Sequence, residues 1–129
     1  EDVIQAMIRM AEPRRDENRK SPAILFLLDG LNYVEELGFE AQINLRWLLE
    51  YGAQSGIWIV GTVKALYASS YRFWIDTFRT RIIGRTMSKE SARILALTPG
   101  PLADKMEPSQ FQVWTGSEWF RYQLPPLGD

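Results

Sequence analysis

The sequence predicts an α/β fold, a mostly parallel sheet flanked by helices and closed by a C-terminal β-hairpin, and three observations carry that expectation. Two continuous apolar runs, AILFLL at 23–28 and IWIVGTV at 57–63, are separated by a helical stripe. A third run, RIIGRTM at 81–87, follows a short helical segment and precedes another, so strands and helices alternate. Finally, QFQVW at 110–114 and WFRYQ at 119–123 flank Thr115-Gly116-Ser117-Glu118, the pattern of a hairpin.

The elements follow in order. Ile4, Met7, Ile8 and Ala11 lie at helical spacing, and Glu1 and Asp2 suit the positive end of a helix dipole, so residues 2–12 read as a helix. Pro13 is expected to stop it. The mixed charges of PRRDENRK, 13–20, read as a solvated connector that runs on to Pro22. The strand at 23–28 is too continuously apolar to be half-exposed, the mark of a central parallel strand covered on both faces. From about Glu40, residues Ala41, Leu45, Leu48, Leu49 and Gly52 form one stripe of a helix, which Gly56 ends. YRFWIDTF, 71–78, reads as a short helix. Ser88 is a natural N-cap for a helix carrying Ala92, Ile94, Leu95 and Leu97, broken at Pro99-Gly100-Pro101. The whole reads as a single domain, with helix 1–12, connector 13–22, core 23–124 and tail 125–129.

Composition narrows the chemistry. The chain has 129 residues, 46% of them apolar, which is enough for a core. Its 15 basic and 16 acidic side chains nearly balance, so no long-range field announces an anionic partner. The absence of Cys and His removes thiol nucleophiles, Ser-His-Asp triads and the usual zinc sets, leaving carboxylates, hydroxyls, Lys and Arg. No charge-free run reaches the ~18 residues of a membrane span, and there is no signal-peptide pattern. A chain that starts at Glu1, inside a helical pattern, reads as a piece of something longer.

In a parallel sheet, ligands sit at the carboxyl ends of the strands, where three polar groups are expected: Asp29, Thr62 with Lys64, and the Arg85-Thr86 pair. A buried strand that delivers one carboxylate to its mouth can face the magnesium of a nucleotide. Taken alone, an apolar run ending in Asp serves a strand-to-turn junction equally well. Glu35 and Glu36 read as an exposed helix start.

The order of elements resembles the C-terminal half of the FtsK/SpoIIIE and HerA-like P-loop motor ATPases over roughly residues 23–124. The residues that carry the resemblance are the first strand with its Asp, AILFLLDG at 23–30, NLRWLLEYGAQSGIWIVGTVK at 44–64, FRTRIIGRTMSKESARILAL at 78–97, and PSQFQVWTG near the end. What the resemblance implies is a partial RecA-like sheet, ATP and Mg2+ as cofactors of the intact fold, self-association into a ring, and DNA or a secreted protein as the translocated substrate. It implies a cytoplasmic setting with no direct membrane insertion, any membrane association coming through regions outside this chain. Asp29 then corresponds to the magnesium-facing carboxylate of a degenerate Walker B strand, Thr62 and Lys64 to a sensor tip, and Arg81 or Arg85 to a trans-acting arginine.

The departures are as specific. The water-polarising Glu of active members falls on Gly30 and the sensor Gln on Val63. No Gly-rich run ends in Lys-Ser or Lys-Thr, so the phosphate cradle is missing and the chain alone is expected to be inactive, with no cofactor. The alternative reading is a catalytically dead ATPase-fold module that serves binding or assembly. For Arg81 and Arg85 the simpler role is an ion-pair partner on the sheet; for Lys89 and Arg93 it is the solvated face of a helix. Trp114, Trp119, Phe120 and Tyr122 could stack nucleic-acid bases, although a ribbon of this kind commonly packs on its own sheet. Because the family's central Walker A strand has no counterpart here, the strands are expected in the order 23–28, 57–63, 81–87, with remaining edges or apolar faces driving self-association.

Overall fold

The computed structural model describes residues 2–96 and 105–126. It is a mixed α/β structure that divides into two compact units, Glu1–Val63 and Lys64–Asp129. Leu97 and the break at Pro99-Gly100-Pro101 lie outside the described residues.

In the first unit, α1 spans Asp2–Asp16. Pro13 therefore does not stop it. A proline gives up one backbone hydrogen bond, but here the turn is held from outside. Arg14 is buried, and its Nη1 donates to the carbonyls of Pro22 at 2.8 Å and Ser55 at 3.3 Å. Ser55 Oγ donates in turn to the Ala11 carbonyl at 2.9 Å. Part of the expected solvated connector is thus a structural tie.

β1 (Ile24–Leu28) is followed by a short 3₁₀ turn, Leu31–Glu36, and then by α2 (Phe39–Tyr51), which buries Ala41, Leu45 and Leu48 as its stripe requires. A further 3₁₀ turn at Gly52–Ser55 leads to Gly56, whose φ of 69° turns the chain into β2 (Ile57–Gly61). β1 and β2 pair in parallel, from Ile24 opposite Ile57 to Leu28 opposite Gly61. One face of the pair contributes Ile57 to the core. The other face is open: Leu25, Leu27, Trp58 and Val60 are 62, 66, 55 and 48% exposed. The expectation of a strand covered on both faces is overturned, because this unit places α1 and α2 with the strands but sets nothing over that face among the described residues.

The second unit holds α3 (Arg72–Ile75), β3 (Arg81–Gly84), α4 (Lys89–Ala96), β4 (Gln110–Trp114) and β5 (Trp119–Gln123). The hairpin forms as its sequence dictates, with Trp114 opposite Trp119 and Gln110 opposite Gln123. Gly116 takes φ 100° in the four-residue loop, and the Glu118 N–H bonds Thr115 Oγ1 at 3.2 Å. Ser88 caps α4, its Oγ accepting from the Ser91 N–H at 3.3 Å.

β3 corrects the predicted strand order. It pairs antiparallel with β4, Arg81 opposite Trp114 and Gly84 opposite Phe111, and the sheets are β1-β2 and β3-β4-β5. The hairpin presents a ready edge of matched polarity to β3, and antiparallel pairing there leaves no gap to be filled by a missing strand.

Candidate functional site

The register of the parallel pair builds the site. Because Leu28 lies opposite Gly61, the next residues outward, Asp29 and Thr62, meet at the strands' carboxyl ends. The ladder runs through them: the Thr62 N–H bonds the Leu28 carbonyl at 3.0 Å and the Leu31 N–H bonds the Thr62 carbonyl at 2.7 Å. Thr62 Oγ1 donates to Asp29 Oδ1 at 2.7 Å and accepts from the Gly30 N–H at 2.9 Å. Both side chains are exposed. The hydroxyl therefore fixes the carboxylate's orientation while Oδ2 takes no hydrogen bond or ion pair among the described residues.

Gly30 has a backbone role as well as lacking an acid. Its φ is 93°, and a Cβ there would come within 2.7 Å of Tyr33 Cδ2. An L-residue at this position is strained and must displace the Tyr33 ring. An acidic side chain at this position meets the same strain in this conformation.

Val63 is half-buried and Lys64 is exposed where the next 3₁₀ turn begins. Glu35 and Glu36 are exposed in the turn after β1. Among the described residues, no three carboxylates gather as a metal site. Mg2+ bound through nucleotide phosphates needs only one or two protein carboxylates, so Asp29 fits as a single ligand or water-mediated contact. The phosphates themselves would have no cradle, since the sequence lacks the Gly-rich Lys-Ser or Lys-Thr loop.

Arg81 and Arg85 have separate fates. Arg81 is buried, with Nε donating to Phe78 O at 3.0 Å and Nη1 to Ile94 O and Leu95 O at 3.3 and 3.0 Å. Its Nη2 donates to Ile75 O at 2.9 Å and Asp76 Oδ1 at 3.3 Å. All five donors are engaged within one unit, so Arg81 has none to offer a phosphate of another subunit. Burial lowers its pKa from the usual arginine value, opposed by the bond to Asp76. Arg85 is exposed just beyond β3. Neighbouring Thr86 is buried and donates to Ser88 O at 3.2 Å. Because β3 lies in an antiparallel sheet, the rule that gathers ligands at parallel strand ends does not bring Arg85 and Thr86 to Asp29. Lys89 and Arg93 are exposed on α4.

The four aromatic candidates separate by face. Trp114 and Trp119 are directly opposed, with ring centroids 5.1 Å apart. The strand period puts Phe120 and Tyr122 on the other side, with Phe111 and Val113. Sequence reasoning missed two determinants, the Gly30 N–H that orients Thr62 and the Arg14–Ser55 tie. A glycine directly after a strand's last carboxylate was a readable signal for the first.

No family model, curated protein or solved structure matches the chain.

Proposed function

We propose that this chain is an ATPase-fold module of the FtsK/HerA-like kind that serves binding and assembly and does not hydrolyse ATP on its own. The observation that carries this reading is Gly30: the place of the water-polarising acid is held by a glycine at φ 93° under the Tyr33 ring. The absence of a phosphate-cradling loop from the sequence supports it. In this reading the uncovered Leu25, Leu27, Trp58 and Val60 face belongs to the module's contacts, since a parallel pair gains most when both faces are covered.

A second reading, half of an active ATP-driven translocase of DNA or protein, is favoured by one observation. Asp29 and Thr62 stand together, exposed, at the mouth where a RecA-like sheet would face nucleotide-bound magnesium. When bound, the metal would neutralise phosphate charge; this chain's part is to hold the Asp29 carboxylate oriented through Thr62.

Titration of the chain with MgATP tests the proposal. We expect no saturable binding in the low micromolar range, about −8 kcal/mol. Tight binding would overturn it. In a longer protein that carries this segment with a phosphate loop, Asp29→Asn separates the two readings. An active motor loses its MgATP turnover with the carboxylate, whereas the binding module has no turnover to lose.

A further inference from the structure

The open face of β1–β2 does not end with its apolar side chains. Exposed and covered positions alternate along both strands, and the alternation runs one step past the ladder. Leu25, Leu27 and Asp29 are exposed on one side and Trp58, Val60 and Thr62 on the other, while residues 24, 26, 28, 57, 59 and 61 are not. The parallel register sets the six exposed side chains in three rows: Leu25 with Trp58, Leu27 with Val60, then Asp29 with Thr62. The 2.7 Å bond from Thr62 Oγ1 to Asp29 Oδ1 pins the third row across the strands. The face is therefore an apolar strip of four side chains with one oriented carboxylate at its end, whose Oδ2 has no partner among the described residues.

Width, spacing and charge say what such a strip takes. Paired strands lie about 4.8 Å apart, so one helix, about 10 Å across, covers both. Successive rows are about 6.6 Å apart, close to the ~6 Å rise between helix positions i and i+4. Apolar residues at that spacing seat in the first two rows, and position i+8 reaches the third. The carboxylate calls for a cation there. Lys or Arg at i+8 would meet Oδ2, whereas the phosphates of a nucleic acid or an anionic lipid would meet like charge. The unit as a whole points the same way, since Glu1–Val63 carries ten acidic and six basic side chains.

We propose that the Leu25, Leu27, Trp58 and Val60 face docks an amphipathic helix of a partner protein, whose apolar stripe ends in a Lys or Arg paired with Asp29. Helices are the ordinary cover of parallel strands, and recognition of an amphipathic helix reads anchors at this spacing. Apolar burial supplies the affinity, and the ion pair sets the helix's direction along the strands. The inference rests on the module reading, whose contacts it specifies: Asp29 serves a protein cation and not nucleotide-bound magnesium.

NMR of the isotope-labelled whole chain, titrated with two synthetic helical peptides, tests it. Both are Ala- and Gln-based with Leu at i, i+3 and i+4; one carries Lys at i+8 and its twin carries Gln. At low salt, saturable binding of the Lys peptide is expected, with shifts at Leu25, Leu27 and the Trp58 indole N–H. The Gln peptide should bind about threefold more weakly, the size of an exposed ion pair. Asp29→Asn should remove that difference by weakening the Lys peptide alone. Leu27→Gln, at an exposed position, should leave the spectrum of the free chain dispersed while weakening both peptides at least about fivefold. The proposal is overturned by no saturable binding of the Lys peptide, by shifts confined to other residues, or by a Lys preference that survives Asp29→Asn. A dimer in light scattering that Leu27→Gln dissociates and the peptides do not displace also overturns it, and assigns the face to a second copy. The MgATP titration keeps the two readings apart: tight nucleotide binding overturns the module, whereas failure of both peptides and nucleotide to bind overturns this inference alone.

Discussion

The parallel pair β1–β2 and the antiparallel sheet β3–β4–β5 are both made of short apolar runs, but their strands meet by different routes. β4 and β5 close over the four residues of Thr115–Glu118, so the turn itself sets the register. β1 and β2 are separated by residues 29–56 and include no turn that could align them. Their alignment comes from side chains and one glycine: Arg14 and Ser55 hold the entry to the strands, and Gly56 turns the chain into β2 while the Ile24 N–H bonds its carbonyl at 2.8 Å. The β4–β5 hairpin is locally encoded, whereas the parallel pair depends on residues that look ordinary in sequence. In the second unit β3 pairs with β4 from across α4, and Arg81 at its start ties it to the carbonyls of residues 75, 78, 94 and 95.

Substitutions test that contrast. The largest effect is expected from Arg81→Met, which removes five donors and leaves the buried carbonyls of residues 75 and 95 and the part-buried ones of residues 78 and 94 without them. A loss of about 3–5 kcal/mol in urea denaturation is expected. A loss below about 1 kcal/mol would show that the arginine network is dispensable. Next comes Gly56→Ala, which combines a left-handed backbone with a Cβ pressed into the Lys20 carbonyl. About 2–3 kcal/mol of stability should go, with α1 and β1–β2 most affected. Ser55→Ala should cost about 1–2 kcal/mol by removing the buried hydroxyl's bond to the Ala11 carbonyl; equal stability to the parent would mean water replaces the hydroxyl. The smallest effect belongs to Leu27→Gln, on the open sheet face, where thermal denaturation should change by no more than about 0.5 kcal/mol. A large loss there would reveal that the face is covered in solution.

How much was legible in the sequence follows the same division. The hairpin at 110–114 and 119–123 and the Ser88 cap are visible because local turn and cap chemistry decides them. The α2 stripe is equally plain. By contrast, the charge run 13–20 hid Arg14, since nothing local distinguishes an arginine that will be buried from its solvated neighbours. The continuous apolar strands suggested two covered faces because hydrophobicity records a demand for burial without saying what satisfies it. Strand order failed for β3 because pairing partner is a long-range choice. At the candidate site, the meeting of Asp29 and Thr62 was readable from the two strand ends, whereas the constraint on Gly30 came from φ and the Tyr33 ring.

The Arg14–Ser55 tie also has a kinetic meaning. Its bonds join a helix end, the strand entry and the turn before β2, across separations of 8 and 41 residues. None of the three segments can open alone without orphaning buried polar groups in the others. The amide of Arg19, bonded to the Arg14 carbonyl, and that of Ile24, bonded to the Gly56 carbonyl, should therefore share one protection factor in native-state hydrogen exchange. In Ser55→Ala the two protons should become labile together, making the end of α1 and the start of the sheet a single cooperative opening unit.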